Sequence, residues 1–252
     1  MTDVHFLDAR GPEGIRVYAI GDIHGHLDLL TEMHGRIAAE IERDKPSDWR
    51  IVHLGDLVDR GPDSRGVIEY LLAATARDSR NIVLTGNHDT GFLDFLAKPD
   101  ADGLFARHGG QETARSYGVG LNMSDASGLR QSHVQLVTAV PDSHLRFLRA
   151  LPYSASFGDF FFCHAGIRPG IPLDQQDPQD LIWIRNQFLN HPGLHPKVVV
   201  HGHTPQAEPE VLANRVNIDT GVFYSGVLTA LVIDGAEKRL FSVEKPGFSG
   251  RR

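Results

Sequence analysis

The sequence predicts an α/β protein: a parallel layer of strands covered by helices, with antiparallel strands closing the chain. Three observations carry that expectation. Short apolar runs rich in β-branched or aromatic residues precede glycine- or aspartate-rich turns at residues 17–20, 51–54, 82–84, 160–163, 198–200 and 227–233, as buried strands do. Between the first three runs, residues 27–42 and 64–76 space their apolar side chains as helices do, and strands joined by helical crossovers run parallel. From residue 216 to 243 the connections are too short for helices, which predicts antiparallel strands in a second sheet facing the first.

Taken in order, run 17–20 ends in Gly21-Asp22-Ile23-His24-Gly25, run 51–54 in Gly55-Asp56-Leu57-Val58-Asp59-Arg60-Gly61, and run 82–84 in Gly86-Asn87-His88-Asp89. Residues 98–152 differ from their surroundings, with Gly109-Gly110, Gly118, Gly120, a polar run over 122–127 and a helix-like stretch at 142–151. Two readings of this segment stand side by side: a cap inserted over one side of a site, or a helical pair that finishes the core. Run 160–163 leads into His164-Ala165-Gly166 and run 198–200 into His201-Gly202-His203-Thr204. Because the motifs span residues 22 to 203, one domain over 1–252 is expected, with a frayed tail at 247–252.

Composition narrows the function. A hydrophobic fraction of 41% suffices for a sizeable core, and a formal charge of -7 disfavours a diffuse cationic surface for nucleic acid. Cys163 is the single cysteine, so no internal disulfide can form, and the cytoplasm is the expected compartment. Residues 1–10 carry Asp3, His5 and Asp8 in place of a signal-peptide pattern, and no 18-residue apolar stretch occurs, so no membrane partner is expected.

The motifs supply metal chemistry. Asp22 and His24, one residue apart in a strand-end turn, can converge on one ion. Asp56 lies 34 residues later at the end of the next strand, where a carboxylate can bridge two ions through its two oxygens. Asn87, 31 residues further, offers a neutral amide oxygen, and His164 and His203 each follow an apolar run. Singly, an aspartate or asparagine there is a common turn former, and a histidine a common core residue. Together, six oxygen and nitrogen donors at the carboxyl ends of strands suit two divalent transition-metal ions: manganese first, with iron, zinc or cobalt also fitting. Such a pair can generate hydroxide near neutral pH and grip phosphate oxygens.

The motifs GDIHG, GDLVDRG, GNHD, HAG and GHT, spread over residues 17–231, resemble those of the calcineurin-like metallophosphoesterases. Within them, the resemblance is to the branch of PPP-type serine/threonine protein phosphatases and bacterial diadenosine polyphosphate hydrolases. It implies two facing mixed β-sheets flanked by helices, a four-layer sandwich. It also implies Asp22 and His24 on one metal, Asp56 as the bridge, and Asn87, His164 and His203 on the other. His88 matches the histidine that protonates the leaving group, Asp59 the carboxylate that orients it, and Arg60 the arginine that grips phosphate. Arg185 is a second phosphate candidate, and Arg168 either recognises substrate or forms a surface ion pair. Asp219 matches a strand-to-turn motif and is expected to be structural. His26, His53 and His201 are expected either to support ligands or to pack.

For substrate, GNHD resembles the diadenosine polyphosphate hydrolases, whereas residues 109–118 and Trp183-Ile184-Arg185 resemble bacterial protein phosphatases. The expectation is a phosphoprotein phosphatase using a hydroxide shared by the two metals. A dinucleoside tetraphosphate hydrolase is the alternative, and a degenerate metal-binding regulatory module is a rival of another class.

Overall fold

The computed structural model describes residues 3–245. The strands are β1 (Ile15–Ile20), β2 (Asp48–His53), β3 (Asn81–Val83), β4 (Ser154–Phe157), β5 (Phe160–Cys163), β6 (Val198–His201), β7 (Glu210–Val211), β8 (Arg215–Asn217), β9 (Val227–Asp234) and β10 (Glu237–Glu244). The helices are α1 (Leu27–Asp44), α2 (Ser64–Arg77), α3 (Asn87–Ala97), α4 (Leu104–Arg107), α5 (Gly110–Ser116), α6 (Ala126–Ala139), α7 (Asp142–Arg149), α8 (Pro178–Trp183), α9 (Asn186–Leu189) and α10 (Val222–Ser225).

Two mixed five-stranded sheets face each other, ordered β10-β9-β1-β2-β3 and β4-β5-β6-β8-β7. The period-2 alternation of β1 divides its side chains between two cores: Val17 and Ala19 pack between the sheets with Phe160, Phe162, Val198 and Val200, while Tyr18 and Ile20 pack outward beneath α1 and α2. A third cluster under the far face of the second sheet joins Phe161, Cys163 and Val199 to Leu181 and Phe188. Cys163 is fully buried there, and burial pushes its thiol up, out of nucleophilic range.

β9 and β10 are antiparallel, but they belong to the first sheet and not, as expected, to the second. The reason lies in β9: residues 228–233 are all buried, which an edge strand cannot satisfy, and pairing with the free side of β1 gives β9 a neighbour on both sides. β8 instead extends the second sheet parallel to β6.

Segment 98–152 brings Phe105, Ala114, Tyr117, Leu129, Leu136 and Leu148 into the cluster that covers the first sheet. Its polar run 122–127 serves as a cap, the Asp125 carboxylate accepting from Ser127 N and Gly128 N at the start of α6. The same segment reaches the strand ends through α4 and α5. Among the described residues no helix is long and apolar enough to cross a membrane. The tail at 247–252 lies outside the described residues.

Candidate metal centre and phosphate pocket

The turns that follow β1, β2, β3, β5 and β6 meet at one end of the sandwich. Backbone hydrogen bonds join the first two: Ile23 N and His24 N both donate to Asp56 O, at 3.1 and 2.8 Å. The third turn presses against them so closely that a Cβ on Gly86 would lie 2.2 Å from Asp56 Oδ1, so glycine is required there. Asp89 locks the contact, its carboxylate accepting from Leu57 N at 2.9 Å and Gly86 N at 2.8 Å.

These turns are strained. Of the six non-glycine residues with left-handed backbone among the described residues, five lie here: His24 (φ 43°), Asp56 (50°), Asp59 (72°), Arg60 (68°) and His203 (66°). Each costs about 1–3 kcal/mol and persists only where surrounding bonds enforce it, a pattern that marks functional sites.

All six sequence-predicted ligands are brought together and buried. Asp56 faces a different imidazole with each oxygen, His24 Nε2 at 3.5 Å from Oδ2 and His164 Nε2 at 3.3 Å from Oδ1. Asn87 Oδ1 lies 2.8 Å from His164 Nε2 and 2.9 Å from His203 Nδ1, and Asp22 accepts from His203 N at 3.1 Å. His24 and His164 donate from Nδ1 to Val58 O and Leu54 O at 2.8 and 3.0 Å, which fixes the tautomer and aims the Nε2 lone pair into the cluster.

This donor set fits divalent cations. Neutral His164 has no proton on Nε2, so its approach to Asn87 Oδ1 and Asp56 Oδ1 sets lone pairs against lone pairs. His203 Nε2 and Thr204 Oγ1 are buried without a hydrogen-bond partner. Adjacent ligands about 2.1 Å from one ion stand about 3.0–3.4 Å apart, close to the separations seen here. The charges agree. Burial, with the neighbouring Asp219 and Asp56 carboxylates, drives Asp22 well above the usual carboxylate range, and burial likewise pushes Asp219 up to about 6. Burial also holds the imidazoles of His24, His164 and His203 below their ordinary value. A buried cluster of acids among neutral imidazoles is completed by cations.

His88 stands beside the cluster with Nδ1 2.7 Å from Asp59 Oδ2, while Thr113 Oγ1 donates to Asp59 Oδ1 at 2.8 Å. Burial alone would lower His88, but the Asp56 charge and the Asp59 hydrogen bond outweigh it and raise it. Arg60 spans His24 Nε2 and His88 Nε2 at 3.3 and 3.1 Å, and its guanidinium lies 4.2 Å over the Phe223 ring. A cavity of about 320 Å³ opens above, walled by Arg60, His88, His108, Trp183, Arg185 and Phe223 among others.

Arg185 reaches this cavity with NH2 3.4 Å from His203 O. Arg168 does not line it: its guanidinium donates from Nε and NH2 to Asp180 and from NH1 to Gln187, the surface ion pair of the two alternatives. His26 bonds His24 O at 2.7 Å and so supports a candidate ligand's backbone, whereas His53 pairs with His34 and His201 lies against Arg215. Asp219, expected to be structural, stands against Asp22. Thr113, Asp89 and Phe223 escaped the sequence reading. Asp89 lies in the GNHD motif and Thr113 in the 109–118 stretch that resembles protein phosphatases, though neither motif gives the contact made here; nothing local points to Phe223, which reaches the site only through tertiary packing.

The calcineurin-like phosphoesterase family pattern matches residues 15–226. The chain is 26% identical over 237 residues to the asymmetrical bis(5′-nucleosyl)-tetraphosphatase PrpE of Oceanobacillus iheyensis, covering 86% of this chain and 88% of that one. It is 28% identical over 232 residues to the PrpE of Anoxybacillus flavithermus, covering 84% and 88%. Among solved structures, one provisionally named a diadenosine tetraphosphatase superposes with a TM-score of 0.65 at 22% identity over 94% of this chain and 96% of that one. A serine/threonine phosphatase from Saccharomyces cerevisiae superposes at 0.51 with 12% identity over 96% and 87%. The chain therefore belongs to the calcineurin-like phosphoesterases and is a metal-dependent phosphoester hydrolase.

Proposed function

We propose that the chain hydrolyses a phosphoanhydride bond of a dinucleoside polyphosphate at a two-metal centre held by Asp22, His24, Asp56, Asn87, His164 and His203. The observation that carries the centre is Asp56, whose two oxygens face the imidazoles of His24 and His164 separately. When bound, two divalent ions hold phosphoryl oxygens and make a water acidic enough to attack phosphorus near neutral pH. Manganese is our first choice of ion.

The chain's own residues do the rest. Arg60, steadied by Phe223, takes two phosphoryl oxygens with its planar fork, and Arg185, on the wall of the same cavity, is the second phosphate contact. A P–O bond forms to the oxygen of water as the bond to the bridging oxygen breaks. His88 passes a proton from Nε2 to the departing oxygen, while Asp59 holds its Nδ1 proton and favours the charged form.

Relatives aligned along nearly their whole length bear the asymmetrical tetraphosphatase name, which supports the dinucleoside polyphosphate reading. Support for a phosphoprotein substrate stops at the fold. The stretches that had favoured it serve any phosphoester: Gly109 and Thr113 hold Arg60 and Asp59, and Trp183 walls the cavity. A cytoplasmic setting and a single catalytic unit that includes segment 98–152 complete the reading. The test is side-by-side turnover of the manganese-loaded protein on diadenosine tetraphosphate and a phosphothreonine peptide; preference for the peptide reverses the substrate assignment.

A further inference from the structure

We propose that a second groove beside the phosphate pocket seats one nucleoside, with Trp183 as the face on which its base stacks; this rests on the dinucleoside polyphosphate reading. The groove is a cavity of about 220 Å³, and Trp183 and Leu104 belong both to its wall and to that of the phosphate pocket. The groove and the phosphate pocket therefore adjoin at Trp183 and Leu104, within reach of a ligand whose phosphate is held at Arg60.

Trp183 closes α8, a one-and-a-half-turn helix capped by Asp177. Its neighbours do the packing: Leu181 is 5% exposed and Ile182 fully buried, while Trp183 is 42% exposed. The indole and the His203 ring meet in a T-shaped contact, ring centres 6.0 Å apart at 81°, and the exposed remainder of the indole is free to take a base. An exposed tryptophan on the wall of a phosphate pocket offers a rigid π-surface that accepts any base. Beyond it the groove turns polar, with Thr90, Asp94, Lys98 and Gln179 along its rim. These side chains suit the hydroxyls of a ribose and the polar edge of a base. Asymmetrical cleavage of a tetraphosphate chain releases a nucleoside monophosphate, so one nucleoside lies a single phosphate from the bond that breaks. A nucleoside seat must then adjoin the metal centre, as Trp183 does.

The experiment uses Trp49→Phe protein, in which Trp183 is the sole tryptophan of the two in the chain. Titration with AMP is expected to quench Trp183 fluorescence saturably, whereas inorganic phosphate leaves it unchanged. In parallel, Trp183→Ala should lower the ratio of kcat/KM for diadenosine tetraphosphate to that for p-nitrophenyl phosphate about tenfold, from the loss of one base stack, with Trp183→Phe retaining most of it. Metal content should be equal in all variants. Absence of AMP-specific quenching, or an unchanged ratio in Trp183→Ala, overturns the nucleoside seat. If the wild-type protein does not hydrolyse diadenosine tetraphosphate, the activity reading falls and the quenching alone decides the groove.

Discussion

Asp59 Oδ2 lies 2.7 Å from His88 Nδ1, and both side chains are closed off from solvent. Three elements build this pair: the turn after β2 carries Asp59, the first turn of α3 carries His88, and α5 supplies the Thr113 hydroxyl that occupies the other Asp59 oxygen at 2.8 Å. The carboxylate thereby chooses which imidazole nitrogen holds the resident proton and points the other at the cavity. Asp59→Asn removes the charge while keeping the shape, and turnover of an alkyl phosphate, whose leaving group needs the proton, should fall by about 10²–10⁴ with metal content intact. Thr113→Val should leave the buried carboxylate short of a partner and cost about 1–3 kcal/mol of stability, read by denaturant unfolding.

His88 is needed in proportion to the basicity of the leaving group. An alkoxide leaving from phosphoserine requires a proton, whereas a departing phosphate, with a second pKa of about 6, leaves readily without one. His88→Asn should therefore slow an alkyl phosphate at least tenfold more than a dinucleoside polyphosphate. Equal losses on both substrates, accompanied by lost metal, would make His88 a ligand instead.

Removing divalent ions should destabilise as well as inactivate. Five carboxylates, Asp22, Asp56, Asp59, Asp89 and Asp219, are buried around the centre, and cations bound only by the folded state stabilise it by mass action. A chelator should lower Tm, and added manganese should restore it. Asp56→Asn should bind fewer than two ions and lose most of this response, measured by metal analysis and thermal melts; two retained ions with full activity would remove Asp56 from its bridging place.

How much of this was legible follows from where the information sits. Asp22, His24, Asp56, Asn87, His164 and His203 stand at the ends of strands whose apolar runs are local signals, so the candidate ligands could be assembled before any coordinates. The placement of β9 against β1 could not, because residues 227–233 read equally well as a strand of either sheet, and only the free side of β1 decides. α3 and α6 were hidden by composition: Asn87-His88-Asp89 reads as a turn and 122–127 as a polar run, although the first starts a helix and the second caps one. Thr113 and Phe223 act across 54 and 163 residues from their partners Asp59 and Arg60, a separation that leaves no trace in sequence spacing.

The paired histidines His34 and His53 predict an acid limit to stability. Their Nε2 atoms lie 2.8 Å apart, and His53 Nδ1 donates to Ile82 O at 3.0 Å, so His53 accepts from His34, and burial holds the His34 ring down to about 3. Burial holds His53 down to about 4, while the unfolded chain titrates near 6.5. Between those values the unfolded state binds the extra proton, so the contribution of His53 is complete above pH 6.5 and declines as pH falls toward 4. At pH 5 the loss is about 2 kcal/mol. His53→Gln should flatten the pH 7 to pH 5 change in unfolding free energy by about that amount, and an unchanged slope would show that His53 titrates normally in the fold.

Gly109 ties the 98–152 segment to the chemistry. Its carbonyl accepts Arg60 N at 3.1 Å, its φ is 105°, and a Cβ at this position would lie 2.4 Å from Arg60 N and 2.7 Å from Arg60 Cγ. Gly109→Ala therefore carries two penalties, a backbone conformation that alanine resists and a collision with the residue that grips phosphate. The chain can relieve both only by withdrawing α5 from the turn after β2, which displaces the Arg60 guanidinium from the Phe223 ring and loosens Thr113 from Asp59. Small displacements of a positioned catalytic group cost about 10²-fold in rate. Gly109→Ala should thus lower kcat/KM about a hundredfold while metal content stays at the wild-type level, because every candidate ligand lies outside residues 98–152. Metal analysis beside steady-state kinetics separates the outcomes: joint loss of ions and activity would mean that α5 supports the whole centre, whereas loss of activity alone assigns the segment to Arg60 and the Asp59–His88 pair.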